Sequence, residues 1–485
     1  HRFREDLCPD LQSKSAAYTT QSCIRSFHEH ARTFTSAPMA SPNALDFLLS
    51  SIEKTWHDVG VRATPLALLT TSLALLLPII SLYLLALSQR EQPTPPPAGC
   101  RKLNKSGTSN LSDQFAKKYD HGGEPSASNA WKVKALMVYP LKSCGGVELE
   151  KAEVGHTGLK YDRQFTFAQQ VTSLPTLEGK VKSEWTFITL RQFPRLAKVE
   201  VEMWVPDPKA PGYHKDGEWV KSDGCIVARF PFSPDTEFSV AGIKNYGKIL
   251  AAKLGGRSEP MVEFRIPFDP KKDIIAARGY RKEPVKIFDD VPVALNVGCD
   301  LSDEIVDQLK YTLGVSNPLT IFRIDPDSPR LVLQNAPKKE DVGFQTAIGM
   351  QDAHPVQIQN LASIHDVSSR VPSRFRPLNA LRYRPNIIFT GPPAFEEDEW
   401  KKARFGSLTL DISCRTTRCK LPNVDPLTGI ADRNEPGTTM RKYRVVDKGS
   451  KAACLGMQVT PLDEGVLIVG DEIKVLATGE HYFIE

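Results

Sequence analysis

The chain has 485 residues, 41% of them hydrophobic and 25% charged, with a formal net charge of +5. That length allows two or three domains with a sizeable core, and the charge is too small and diffuse for a general nucleic-acid binder. Nine cysteines, an odd number spread thinly, do not form a disulfide framework and fit a reducing compartment.

Residues 1–38 lack apolar periodicity and carry Glu5, Asp6, Asp10 and Glu29, whereas targeting peptides are poor in acid. They are expected to be a non-structural upstream extension, with Met39 as the start and 39–62 a short N-terminal segment. From Ala63 to Gln89 there are 27 residues without a charge, bounded by Arg62 and Arg90. About 20 apolar residues suffice to cross the hydrocarbon core, so this run predicts a transmembrane helix over 63–89, kinked at Pro78. Lys54 and Arg62 flank it on one side, against Arg90, Arg101, Lys102 and Lys105 on the other. That bias places the large C-terminal part in the cytosol. A Pro-rich, then Ser/Asn/Lys-rich composition predicts a flexible linker over 90–130.

The folded region is expected to begin at Trp131, where Val133, Ala135, Met137 and Tyr139 alternate along a strand ending at Pro140. Three distinctive runs come next: Tyr-Pro-Leu-Lys-Ser-Cys-Gly-Gly-Val (139–147), Gly-Leu-Lys-Tyr-Asp-Arg-Gln-Phe-Thr-Phe (158–167) and Thr-Leu-Arg-Gln-Phe-Pro-Arg-Leu (189–196). Residues 241–254 predict a helix through Ile243, Tyr246, Ile249, Leu250 and Leu254. Leu301, Ile305, Leu309 and Leu313 predict another, capped by Asp300 or Ser302 and stopped by Gly314. Both apolar stripes are expected in the core. Segments 204–224 and 258–290 read as loops or barrel excursions. Further on, 355–360 reads as a strand, Ser363 with Asp366 as a capping-box-like helix start, and 381–389 and 469–476 as strands.

The stretch richest in chemistry is 410–430. Ser-Leu-Thr-Leu-Asp-Ile-Ser (407–413) alternates polar and apolar residues, predicting a strand that delivers Cys414 to a rim. Cys414 and Cys419 enclose Arg415 and Arg418, and positive charge favours the thiolate, the form that binds metal or attacks. The alternative is that both cysteines are small buried hydrophobes. Beyond them lies a polar loop closed by Pro426 and Gly429.

The run Thr-Arg-Cys-Lys-Leu-Pro-Asn-Val-Asp-Pro-Leu-Thr-Gly (417–429) resembles the signature of MOSC-domain proteins, in particular the amidoxime-reducing components. The three earlier runs and Arg-Pro-Asn (384–386) resemble the same family in the same order, covering nearly all of 131–485. The resemblance implies a mainly β, α+β fold: an N-terminal MOSC β-barrel domain over 131–330 and a MOSC molybdenum-cofactor domain over 331–485, preceded by one transmembrane helix. It implies a molybdenum cofactor (Mo-molybdopterin), with Cys419 as metal ligand and Asp425 as a candidate for proton delivery. A soft thiolate suits such a centre, while the cofactor's phosphate and pterin need cations and hydrogen bonds. Lys142, Arg163, Arg191, Arg382 and Arg384 are the candidate cations. Ser143, Ser363 and Asn386 are the neutral partners, Ser363 at a helix N-terminus. The implied activity is reduction of N-hydroxylated compounds such as amidoximes and hydroxylamines. Electrons would come from a cytochrome b5-type donor and its NADH-dependent reductase, at a membrane expected to be the mitochondrial outer membrane. A cofactor-sulfuration module and a non-enzymatic, membrane-tethered cofactor-binding protein are the alternatives.

Overall fold

The computed structural model describes Lys54, residues 64–90, 94–126, 129–175, Gly179 and residues 181–484. The expected extension 1–38 and nearly all of 39–62 lie outside the described residues. The chain divides into two compact units, His1–Leu84 and Leu85–Glu485. A 24-residue helix, Pro65–Ser88, opens the described part and carries Pro78 in its interior. Its stretch Leu69–Ser88 is long and apolar enough, by length and composition, to cross a bilayer.

Strands dominate the remainder of the chain. An antiparallel sheet takes Cys100–Leu103, Glu200–Pro206, Cys225–Pro231 and Met261–Pro267 in that order. Beside it, Arg281–Lys286, Val293–Asn296, Leu319–Ile324, Phe165–Thr172 and Ser183–Phe187 form a closed barrel. Closure comes from a short parallel pairing, Val285 with Trp185 and Lys286 with Thr186. Segments 204–224 and 258–290 thus hold more regular structure than their composition suggested, including the strands Met261–Pro267 and Arg281–Lys286.

The largest sheet has eight strands, in the order Ile473–Thr478, Trp400–Phe405, Leu408–Thr417, Cys454–Pro461, Val356–Asn360, Ile387–Thr390, Lys132–Val138 and Val147–Leu149. The last two come from the segment expected to belong to the N-terminal barrel. Leu136 pairs with Ile387 and Ala135 with Ile388, so the N-terminal and C-terminal halves share one hydrogen-bonded sheet. The stack of Trp131 on Trp400 (5.6 Å between centroids) and of Trp400 on Phe389 (5.3 Å) packs the same seam. Each such buried aromatic contributes roughly 2–3 kcal/mol.

The expected linker is shorter than its composition indicated. From Cys100 onward it is built into the body, since Cys100–Leu103 pairs with Met203–Pro206 and the Leu111 side chain is buried. The Glu148 carboxylate accepts from Ser109 Oγ at 2.6 Å and from Asn110 N at 2.7 Å. Polar residues here are anchored by partners remote in sequence, which composition does not reveal.

The two expected apolar helices separate. Asp303–Leu313 starts on Ser302, whose hydroxyl accepts from Ile305 N, and stops at Gly314 in the left-handed region (φ 77). Its Leu309 and Leu313 are buried, as the stripe predicts. Val240–Leu254 also forms, but buries only Gly242 and Gly247; its apolar stripe is not core.

Candidate active site

The strand Leu408–Thr417 runs past Cys414 instead of ending there. Cys414 is 1% exposed, its sulfur 4.0 Å from His354 Nε2, and burial pushes its thiol well up. Register shifts between Ile412 and Cys414 and between Arg415 and Thr417 re-aim the end of the strand. Arg415, Thr416 and Thr417 thereby line a cleft. The rim lies two residues beyond the strand, where the exposed Cys419 sulfur accepts from Leu421 N at 3.4 Å.

The loop after Cys419 is held from below. Arg418 donates to Leu455 O at 2.8 Å, Tyr383 O at 3.1 Å and Gln359 Oε1 at 3.1 Å, and burial brings its pKa down to about 10. Asp425 N donates to Ile430 O at 2.8 Å and Gly429 N to Asp425 O at 2.9 Å, closing a tight turn. Gly429 has φ +69 there, and a Cβ would come within 3.0 Å of Pro194 O.

Cys419 opens onto a cleft of about 810 Å³, within the range of small-molecule and cofactor sites. Lys142, Ser143, Arg163, Arg191, Arg384 and Asn386 line it with Cys419, seven of the ten residues named from sequence. Buried Asp162 ties their motifs together, accepting from Tyr139 N at 2.8 Å and from Arg163 Nη1 at 2.7 Å. Arg163 then reaches Asn386 Oδ1 at 3.1 Å and Arg384 O at 2.9 Å. The guanidiniums of Arg163 and Arg384 lie over the Tyr139 ring, 4.7 and 4.2 Å from its centroid. Five of the eight non-glycine residues with positive φ among the described residues line this cleft: Ser143, Arg163, Phe288, Asn335 and Arg384. Strained backbone of this kind concentrates at functional sites.

Cations outnumber carboxylates along the cleft. Lys142 Nζ is buried between Met350 O and the Asp352 carboxylate; burial pulls its pKa down against the pull of Asp352. Burial would raise the Asp352 carboxyl, but Lys142, Arg163 and Arg191 outweigh it and hold it below the usual range. Arg191 and Arg384 make no ion pair within 4.0 Å among the described residues, and the buried Nη2 of Arg384 has no hydrogen-bond partner. An unpaired buried guanidinium is costly unless an anion meets it. Among the described residues, no group of three or more His, Cys, Asp or Glu side chains could hold a metal ion by itself.

Three residues named from sequence stand elsewhere. Asn360, not Ser363, caps the helix Leu361–Arg370, accepting from Ala362 N at 3.1 Å. Ser363 Oγ instead donates to Glu397 Oε1 at 2.7 Å and accepts from Phe395 N at 2.8 Å. The carboxyl at this helix start is therefore that of Glu397, whose other oxygen accepts from Asn360 Nδ2 at 3.1 Å. Burial, with Asp398 beside it, pushes the Glu397 carboxyl up. Arg382 turns away from the cleft to Asp425 Oδ2 at 2.6 Å and Pro422 O at 3.3 Å. Asp425 also accepts from Leu427 N and Thr428 N, both at 3.0 Å. Burial would raise its carboxyl, but these N–H groups and Arg382 hold it below the usual range, a turn anchor and a poor proton donor. Ser363→Ala is expected to cost about 1–3 kcal/mol by orphaning Phe395 N and weakening Glu397. Cofactor content per folded molecule should stay unchanged, which denaturant titration and elemental analysis together would check.

The cleft also recruits residues that sequence reasoning did not single out. Arg330 donates to Asp290 Oδ2 at 2.8 Å and Gln351 O at 2.7 Å. It lies on the two-residue strand Arg330–Leu331, with no local pattern to mark it. His354 also lines the cleft, and its Nε2 lies 2.7 Å from Asn335 O. His481 is likewise buried, Nε2 2.7 Å from Trp400 O, and burial takes both imidazoles down to about 4. Between pH 6.5 and about 4 the unfolded chain takes up protons that the folded chain refuses, so stability falls as pH falls through that window. Each histidine contributes up to about 3 kcal/mol of that loss. Urea titrations at about pH 7 and about pH 4.5 should show a flatter pH slope for His354→Gln/His481→Gln than for the parent chain.

These features define a class of protein: a β-rich double module with one exposed thiol at the mouth of a cationic, ligand-sized cleft. Residues 345–474 match the MOSC domain, and residues 130–223 the MOSC N-terminal beta barrel domain. The chain is 34% identical over 347 residues to mitochondrial amidoxime reducing component 2 of Bos taurus, 70% of this chain and 82% of that one. It is 34% identical over 348 residues to the Homo sapiens component 2, with the same coverage of both chains. To mitochondrial amidoxime-reducing component 1 of Danio rerio it is 26% identical over 350 residues, covering 70% and 83%. The chain belongs to this family of MOSC-domain proteins, the mitochondrial amidoxime-reducing components.

Proposed function

We propose that this chain is a membrane-anchored, molybdenum-cofactor-dependent oxidoreductase that reduces N-hydroxylated compounds. The observation that carries the reading is the exposed Cys419 thiol at the mouth of a cleft lined by Lys142, Arg163, Arg191, Arg330 and Arg384. One soft donor plus a cationic interior is the donor set that a dithiolene-held metal with a phosphate tail requires. The unpartnered Arg384 Nη2 fits the same demand. Cys419 would hold the metal. Lys142, Ser143, Arg163, Arg191 and Arg330 would hold the phosphate end, and Arg384, Asn386 and Arg418 the pterin side.

The net reaction for an amidoxime is R–C(NH2)=NOH + 2e⁻ + 2H⁺ → R–C(NH2)=NH + H2O, breaking the N–O bond. When bound, the cofactor supplies a metal that exchanges two electrons with the substrate. The protein supplies orientation and electrostatics. Leu421 N, donating to the Cys419 sulfur, and the Asp425 turn fix where the thiol points. Arg418 sets the loop's height by gripping three backbone or side-chain oxygens beneath it. Protons come from solvent at the exposed rim, since Asp425 is held ionised by its turn.

Electrons would arrive singly from a b-type cytochrome and its NADH-dependent reductase. The apolar span Leu69–Ser88 would hold the catalytic unit on the same membrane as that donor, raising its effective concentration. The relatives' names point to the mitochondrion, and the outer membrane with the body in the cytosol is the placement we propose. Purified full-length protein should contain molybdenum and pterin in equal amounts and reduce benzamidoxime with reduced viologen. With NADH it should do so only when cytochrome and reductase are both added. Bound molybdenum without turnover under either condition would sink the reductase reading.

A further inference from the structure

The helix Val240–Leu254 has the periodicity of a core helix and the exposure of a surface one. Ser239 caps it, accepting from Gly242 N at 3.0 Å, so the element is well formed. Yet Val240 is 74% exposed, Ile243 56% and Leu254 59%, with Tyr246 exposed and Phe238 just before the helix fully so. At 3.6 residues per turn, positions 240, 243, 246, 250 and 254 fall within one stripe about 120° wide. Exposed Lys244 and Lys253 flank that stripe on its two sides, and Lys248 follows on the Lys244 side. Between Phe238 and Ser258 the chain carries Lys244, Lys248, Lys253 and Arg257 and no acidic residue. Within the stripe Gly247 lies against Leu85 and Gln89, at the end of the apolar helix, while the larger apolar side chains around it stay exposed, and such a face is not left to water without a partner.

Two facts identify the partner. Every charge on the helix itself is positive, with Asp235 and Glu237 lying outside it before Phe238, and that face matches an acidic surface. The chain's own tether also brings such a surface near. Arg265 Nη2 donates to Pro95 O at 2.7 Å, and Arg265 lies on Met261–Pro267, the strand that follows this helix. Pro95 comes seven residues after Ser88, the end of the apolar helix, and seven residues span at most about 25 Å. The strand following the helix is therefore held within that distance of the end of the span.

We propose that Val240–Leu254 lies in the plane of the membrane that the span Leu69–Ser88 crosses. Phe238, Val240, Ile243, Tyr246 and Leu254 enter the boundary between headgroups and acyl chains, and the lysines meet acidic headgroups. The proposal rests on the anchoring reading and is independent of the redox one. Its consequence is a second point of attachment, which removes the rotation that a single tether leaves free.

The test is amide hydrogen exchange on the full chain in nanodiscs of phosphatidylcholine alone and of phosphatidylcholine with phosphatidylserine. Residues 238–254 should exchange about tenfold more slowly in the acidic discs, with the large sheet unchanged. Lys244→Glu/Lys248→Glu/Lys253→Glu should abolish that difference, and Ile243→Ser/Leu254→Ser should remove protection in both discs. Equal exchange in both discs and in detergent overturns the docking proposal. So does protection in detergent that grows with protein concentration, which would assign the face to a second copy of the chain. Failure of the chain to enter discs at all overturns the anchoring reading, and with it the docking.

Discussion

Cys419→Ala is expected to lower amidoxime reduction by at least about a thousandfold, roughly 4 kcal/mol of transition-state stabilisation, and to weaken molybdenum retention. Its sulfur is the exposed thiol of the cleft, and no other cysteine or methionine lines that cleft among the described residues. Cys414→Ala is the matched control. That thiol is buried, five residues back, with burial holding it protonated, so its loss removes only a small packing group. The expected cost is about 1 kcal/mol of stability with activity and metal content retained. Metal analysis and steady-state rates on both variants decide the assignment. Equal loss in the two would mean that the ligand is shared or misassigned.

Arg163→Ala should produce the largest loss of stability in the cleft, about 3–5 kcal/mol, because it strands a carboxylate. Asp162 is fully buried and Arg163 is its salt-bridge partner, at 2.7 Å. The same guanidinium also holds Asn386 and the Arg384 carbonyl, so three motifs loosen together. Asp162→Asn/Arg163→Met should recover part of the stability by removing both charges, while cofactor retention stays low. Urea titration and pterin release measure the two effects separately. A single substitution costing under about 1 kcal/mol would show that solvent reaches Asp162.

Much of the cleft was legible through the family resemblance, because its residues sit in the short runs that carry that resemblance. Lys142 and Ser143, Asp162 and Arg163, and Arg384 and Asn386 are each within a few residues of one another, so a linear reading captures them in pairs. Arg330 was not legible, since only the folding of a two-residue strand brings it to the cleft. Ser363 was misplaced by a single turn of helix. Asn360 makes the cap, and Ser363 is taken up by the Glu397 carboxyl, 34 residues on. Periodicity found both apolar helices but could not say which was covered. Leu309 and Leu313 are enclosed by protein whereas Ile243 and Leu254 face outward, a distinction that exists only in three dimensions. The strand leading to the thiol was foreseen, but it carries its rim five residues beyond Cys414 because two bulges turn it.

The sharing of one sheet by both halves has a consequence for how the protein is made. Lys132–Val138 is hydrogen-bonded to Ile387–Thr390, and Leu136 meets Ile387 across 251 residues of sequence. At about 5–20 residues per second, a ribosome needs roughly 10–50 s to synthesise the partner after the first strand has emerged. During that interval one edge of the strand can pair with Val147–Leu149 while the other stays open, the condition under which edges pair wrongly between chains. Shielding of that open edge until the C-terminal partner arrives would guard against such pairing. Ribosome-bound intermediates stalled before Ile387 should therefore be protease-sensitive from Trp131 to Leu149, and those stalled after Thr478 should be resistant.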